Sequence, residues 1–165
     1  NDSKVSLIGV RDKPGVAASI FKPLSRNSIN VDMVVQNISA NGKETDLTFT
    51  IKAEDLNKTK KIIRNNKNIK FRKLLLKKDV SKISVIGVGM ITTPGVTFRM
   101  FQTLANKKIN IQVISTSEIK ISVLIDKRNT KKALIALHKE FKLDDKKWAL
   151  DHLEILKEEK LKKLM

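Results

Sequence analysis

The chain repeats itself. Lys4-Val5-Ser6-Leu7-Ile8-Gly9-Val10 returns 78 residues later as Lys82-Ile83-Ser84-Val85-Ile86-Gly87-Val88, and Pro14-Gly15-Val16 returns 80 residues later as Pro94-Gly95-Val96. The offset of 80 then holds for Phe21 and Phe101, Leu24 and Leu104, and Ile29-Asn30 and Ile109-Asn110. An internal repeat sets the unit of folding. This period is too long for a solenoid and fits a small domain present twice. The matched positions include turns as well as apolar runs, so the duplication extends to residues that a core alone would not preserve.

A chain of 165 residues holds one medium domain or two small ones. A unit of roughly 70 residues buries too little surface to be robust alone, so two interdependent halves are expected. There is no cysteine, which removes disulfide frameworks and thiolate metal sites and points to a reducing compartment. The apolar runs have the length of strands, far short of the ~20 residues of a membrane span, and no secretory leader is expected. A cytoplasmic protein without membrane contact is the expectation. The first residue is Asn1 rather than Met, so a piece of a longer chain is also expected.

A formal charge of +17 and a pI near 10.1 invite a nucleic-acid reading, since clustered Lys and Arg release counterions from phosphates. The pattern argues against it. Only six of the 34 basic residues are Arg, the side chain whose planar fork suits phosphate and base edges. Aromatic residues make up 4% of the chain, and all except Trp148 are Phe. Several of these fall on apolar faces rather than forming a platform on which bases could stack. The joint abundance of Lys, Asn and Ile fits a coding bias better than a binding surface.

Each half reads as the same order of elements. Residues 4–10 alternate and are β-branched, predicting a strand, and Asp12-Lys13-Pro14-Gly15 predicts a turn. From Val16 onward, Ala17, Ile20, Phe21 and Leu24 recur at helical spacing. Strands at Val31–Ile38 and Thr45–Ile51 flank Asn41-Gly42, a strong hairpin signal. Glu54-Asp55 opens a second helix through Leu56, Ile62 and Ile63, and Ile69–Leu76 reads as a fourth strand. The second half has a strand from Ile83, a turn at Thr93-Pro94-Gly95, a helix through Met100, Phe101 and Leu104, and strands at Ile111–Ser115 and Ile119–Ile125. A helix through Ala133, Leu134, Leu137 and Phe141 follows, after which no β-branched run appears. The expectation is therefore an α+β chain of two βαββαβ units, antiparallel sheets with helices on one face. The second unit lacks its own fourth strand, and 145–165 forms a basic amphipathic tail, read as helical.

No catalytic constellation is present in the sequence. His138 and His152 have no Cys or acidic neighbours at metal-ligand spacing. Gly87-Val88-Gly89 lacks the third glycine of a dinucleotide fingerprint, and no glycine-rich loop ends in Gly-Lys-Ser/Thr. What remains is the turn common to both halves. Pro14 presets φ and Gly15 permits a positive φ, so the chain can be delivered into a helix N-terminus whose free N–H groups suit a carboxylate. Asp12 can meet an ammonium group. Carboxylate plus ammonium is the main chain of a free α-amino acid. On these residues alone, a plain strand-to-helix turn with a solvated Asp12 is the favoured reading.

A resemblance bears on that choice. A duplicated βαββαβ unit with Asp12-Lys13-Pro14-Gly15, Asn30-Val31-Asp32-Met33-Val34-Val35-Gln36-Asn37 and the run Ile114–Ile125 resembles the tandem ACT domains of aspartate kinase. The last run is the most specific, and the resemblance covers about residues 4–144. It implies ferredoxin-like ACT domains at 4–80 and 81–144, with the second incomplete. It also implies the regulatory region of the monofunctional lysine- and threonine-sensitive type, or its separately translated β subunit. In such kinases a segment preceding the first unit supplies the second unit's last strand. Nothing is carried over to the tail.

The resemblance implies no cofactor within this stretch. It implies an effector, L-threonine and/or L-lysine, held between the first unit of one chain and the second unit of its partner in a homodimer. Asp12, Pro14, Gly15, Val16 and Ala17 match the effector loop and helix start, Gln36 the strand residue that reads the ligand, and Asn110 and Ile111 the facing edge. By pseudo-twofold symmetry, Asn30, Val31 and Asp32 face Thr93, Pro94, Gly95, Val96 and Thr97 in a second pocket, with Thr92 in the place of Asp12. The remaining partner is an aspartate kinase catalytic domain, in the same chain or in an α subunit. Three alternatives are an enzyme active by itself, a basic nucleic-acid module, and an ACT regulator of another enzyme; the last would lack the run Ile114–Ile125.

Overall fold

The computed structural model describes residues 2–38, 42–87 and 95–143, together with the backbone of 154–157. The chain divides between Val80 and Ser81 into two compact units.

In the first unit, β1 (Asp2–Arg11) leads through the Pro14-Gly15 turn into α1 (Val16–Arg26), followed by β2 (Val31–Ile38), β3 (Glu44–Lys52), a single 3-10 turn at Ala53–Asp55, and α2 (Leu56–Asn65). The next strand, β4 (Lys73–Ile86), runs across the division, with Lys73–Val80 in the first unit. The strand order is β2-β3-β1-β4, and β1 pairs antiparallel with both β3 and β4. Alternation explains which face is covered. Val5 lies opposite Phe49 and Leu7 opposite Leu47, and these side chains meet Val16, Ile20 and Leu24 of α1 and Leu56 and Ile63 of α2 in one core. The three α1 residues recur every fourth position, so a single stripe faces the sheet. Phe21 meets Phe49 edge-on, with centroids 5.3 Å apart.

The second unit repeats the plan with Ser81–Ile86 of β4, α3 (Val96–Asn106), β5 (Val113–Thr116), β6 (Lys120–Asp126), a 3-10 turn at Lys127–Asn129, and α4 (Thr130–Glu140). Its core contains Ile83, Val85, Val96, Met100, Leu104, Ile121, Val123, Ile125, Leu137 and Phe141. Each such side chain, fully buried, contributes about 1.5–3 kcal/mol, which accounts for the apolar positions of the repeat being kept in register. The correspondence reaches the hydroxyls. Ser6 bonds to Thr48 at 2.8 Å in the first unit, and Ser84 bonds to Ser122 at 2.8 Å in the second.

The fold class is the one expected, two α+β units of the ferredoxin-like kind, but three local expectations need correction. Ile69 is buried yet lies ahead of the strand, which begins at Lys73; Arg72 N–H donates to the Ile8 carbonyl at 2.8 Å and starts the pairing there. Glu54-Asp55 forms the 3-10 turn that precedes α2 instead of the first turn of the α-helix itself. The third concerns the tail. The backbone of β7 (Glu154–Lys157) pairs antiparallel with β4, Ile83 opposite Lys157 and Ile86 opposite Glu154. It takes the edge position beside β4 that a fourth strand fills in the first unit. The expected lack of a fourth strand therefore does not hold beyond residue 153, and this part of the tail is extended rather than helical. The physical reason is the exposed ladder: Ile83–Ile86 without a neighbour would present unpaired backbone groups. The remainder of 145–165 lies outside the described residues.

Candidate functional site

The Pro14-Gly15 turn forms where β1 runs out of pairing partners. β1 carries an irregularity between Leu7 and Val10, with Gly9 at φ 67. The Gly9 N–H donates to Asp46 Oδ1 at 2.8 Å, and the Asp12 N–H donates to the Lys43 carbonyl at 3.0 Å. These bonds hold the end of β1 against β3 up to Asp12 and release it there. Val16 N–H then donates back to the Lys13 carbonyl at 3.2 Å, closing a turn with Gly15 at φ 83 and ψ 0. That left-handed geometry is nearly free for glycine and costly for other residues. Gly95 precedes α3 in the same conformation, with φ 87 and ψ −1.

No side-chain hydrogen bond caps the N-terminus of α1; the Val16 N–H is engaged by the Lys13 carbonyl and the Ser19 N–H by the Gly15 carbonyl, which leaves the N–H groups of Ala17 and Ala18 as the ones a helix start offers to an outside acceptor. Gln36 reaches this region from β2. It lies opposite Leu47, whose side chain enters the helix-side core, and cross-strand partners share a face. β2 is the edge strand of its unit, so Gln36 is not covered by a further strand. The result is an open hollow of about 440 Å³ lined by Asp12, Lys13, Pro14, Gly15, Val16, Ala17 and Gln36, within the size range of small-molecule sites. It offers an anion, a cation, a helix N-terminus and a neutral amide around an apolar floor.

A second hollow of about 350 Å³ lies at the other end of α1, lined by Phe21, Ser25, Ser28, Ile29, Asn30, Val31 and Val34. Asn30 and Val31 are thus brought together, while Asp32 is exposed and does not line this hollow. In the second unit, Asn110 is exposed and Ile111 half-buried just before β5, and Gly95, Val96 and Thr97 form the start of α3. Thr93 and Pro94 lie outside the described residues. Sequence reasoning passed over Lys13 as a lining residue, although it stands inside the quoted turn. It also missed Ser25 and Ser28, for which only the chain reversal after α1, with Ser28 at φ 58, is a local signal.

Among the described residues no group of three or more His, Asp or Glu is placed to hold a metal ion, and no helix is long and apolar enough to cross a membrane.

Comparison with known proteins agrees with the duplicated fold. The ACT domain family matches residues 5–66 and 83–141, one span in each unit. An aspartate kinase of Pseudomonas fluorescens is 43% identical over 145 residues, covering 87% of this chain and 35% of that protein. Among solved structures, the chain is similar to one described as aspartokinase α and β subunits, with a TM-score of 0.77 and 39% identity over 87% of this chain and 94% of that one. It is also similar to the ligand-free regulatory subunit of aspartate kinase from Thermus thermophilus, with a TM-score of 0.77 and 34% identity over 86% of this chain and 93% of that one. The chain spans about a third of the length of the curated relatives it matches.

Proposed function

Because the chain belongs to the ACT-domain family, and within it to the tandem regulatory regions of aspartokinases, we propose that it binds a free amino acid of the aspartate family, threonine and/or lysine, as a feedback signal to an aspartate kinase catalytic domain in the cytoplasm. The observation that carries this reading is the hollow at the start of α1, where Asp12, the uncapped helix N-terminus and Gln36 converge. An α-amino acid places its ammonium against Asp12, its carboxylate against the N–H groups of the first turn of α1, and its side chain toward Gln36. The hollow is open on one side in a single chain. In this proposal Asn110 and Ile111 of a second copy close it, which makes the functional unit a homodimer. Asn30, Val31 and Asp32 then face the Thr93–Thr97 turn of the other copy in a second, related pocket.

Binding biases the kinase only by the difference in effector affinity between its active and inactive arrangements. A coupling of about 1–3 kcal/mol corresponds to roughly 5- to 150-fold inhibition. The direct test is calorimetric titration of the chain with each aspartate-family amino acid, combined with light scattering. Saturable heat with threonine or lysine, together with dimer formation, is the expected result. Flat titrations with every one of these amino acids would overturn the reading.

A further inference from the structure

We infer that Lys13 is a specificity-determining residue of the first hollow, and that it disfavours effectors whose side chain carries a positive charge. This inference rests on the proposed amino-acid site and deepens it. Among the described residues lining the hollow there is one anion, Asp12, and one cation, Lys13; the other polar side chain, Gln36, is neutral. A zwitterionic main chain uses the anion for its ammonium and the helix N-terminus for its carboxylate, which Lys13 reinforces. Among the described residues no second anion lines the hollow to receive a further ammonium. A cationic effector side chain therefore meets an uncharged amide on β2 and a like charge on Lys13, whereas a hydroxyl or amide side chain is matched by Gln36 without a charge penalty. The hollow takes amino acids with short, uncharged polar side chains in preference to those ending in an ammonium.

The size of the effect follows from Coulomb's law. Two like charges roughly 8 Å apart in a water-like dielectric repel enough to change affinity about two- to threefold, and added salt weakens that repulsion. The test compares L-threonine with L-lysine by calorimetry on the full chain and on Lys13→Gln and Lys13→Glu variants. Both ligands share one main chain, so the threonine-to-lysine affinity ratio cancels whatever Lys13 does for the carboxylate. The ratio is expected to fall about two- to threefold in Lys13→Gln and roughly sixfold in Lys13→Glu, less at 0.5 M salt than at 0.05 M. Lys13 is exposed on a turn, so both variants are expected to fold, and a thermal melt checks this. An unchanged ratio in both folded variants, with the parent still binding, overturns the inference and leaves the amino-acid site standing. A parent chain that binds neither ligand overturns both.

Discussion

Ser19 and Arg99, eighty residues apart, hold the same place in α1 and α3, and each ties its helix to the C-terminal end of the other helix of its unit. The means are opposite. Pro23 has no N–H, so the Ser19 carbonyl lacks the donor it would have four residues on; the Asn66 side-chain amide, at the end of α2, donates to it at 3.5 Å. In the second unit Thr103 stands where Pro23 does, and the tie comes from the side chain. Arg99 Nε donates to Glu140 Oε1 at 2.8 Å and Nη2 to the Glu140 carbonyl at 2.7 Å, with the guanidinium 4.9 Å from the Phe141 ring centroid. Duplicated units thus keep a helix-to-helix tie while exchanging its chemistry.

Arg99→Ala removes two charge-assisted hydrogen bonds, one of them to the Glu140 carbonyl, and a cation–π contact. The pair is partly exposed, which lowers its worth toward that of a surface pair. A destabilisation of about 1–2 kcal/mol is expected, read as a lower denaturant midpoint with unchanged slope. Arg99→Lys, which keeps the charge and loses the fork, is expected to recover less than half of it. Full stability in Arg99→Ala would mean the tie is incidental.

The buried hydroxyl pair of Ser84 and Ser122 makes a sharper test. Ser84→Ala leaves the Ser122 hydroxyl buried without its partner, costing about 1–3 kcal/mol. Removing both hydroxyls is expected to cost less than the sum of the single changes, because no orphan remains. A double-mutant cycle with additive energies would contradict this coupling.

At the candidate site, Asp12→Ala removes the anionic partner proposed for a ligand ammonium. A hydrogen bond between charged groups is worth about 1.5–3 kcal/mol, so effector affinity by calorimetry is expected to drop roughly tenfold to over a hundredfold. Asp12 is exposed, and the melting temperature is expected to stay close to that of the parent. Parent-like affinity in the variant would remove Asp12 from the site.

Gln36→Ala is expected to weaken threonine or lysine more than alanine or valine, since a polar group built to meet a hydroxyl or amine discriminates against ligands lacking one. In an intact kinase the same change relieves feedback and leaves uninhibited turnover near normal. Loss of basal turnover with feedback unchanged would assign Gln36 to the catalytic interface instead.

Lys4 supplies a pH test. Burial, and then the ammonium of its cross-strand partner Lys77, lower its pKa below the ordinary lysine value of 10.5. Between the lowered value and 10.5 the unfolded chain holds more protons than the folded one, so stability from this group rises with pH across that window. Below the window both states are protonated, and the fold carries the full cost of a partly buried like-charge pair. Lys4→Met is expected to raise the denaturant midpoint at neutral pH and to flatten the rise above it. A midpoint lower than the parent's at neutral pH would show that Lys4 contributes favourably.

Much of the candidate site could be read from residue types at particular spacings. Pro14 before Gly15 announced the turn, because only those two residues preset one φ and free the next. Gln36 is different. Nothing in the local pattern of β2 distinguishes it from its neighbour Asn37, and its place in the hollow follows from pairing with Leu47 on β3. Lys13 was visible in the turn but reads as an ordinary surface lysine until the hollow is seen.

The sequence by itself determined the duplicated unit, the strand-helix order and the apolar stripes, because these depend on contacts a few residues apart and on side-chain periods of 2 and 3.6. Only the tertiary structure decided which face of β2 meets the start of α1. It also decided that the Arg99 side chain ties α3 to the end of α4, and that Glu154–Lys157 is a strand. A charged run such as Glu154-Ile155-Leu156-Lys157 has little extended preference of its own. It becomes a strand because Ile83–Ile86 presents unpaired backbone groups, and that demand comes from a partner some seventy residues away in the chain.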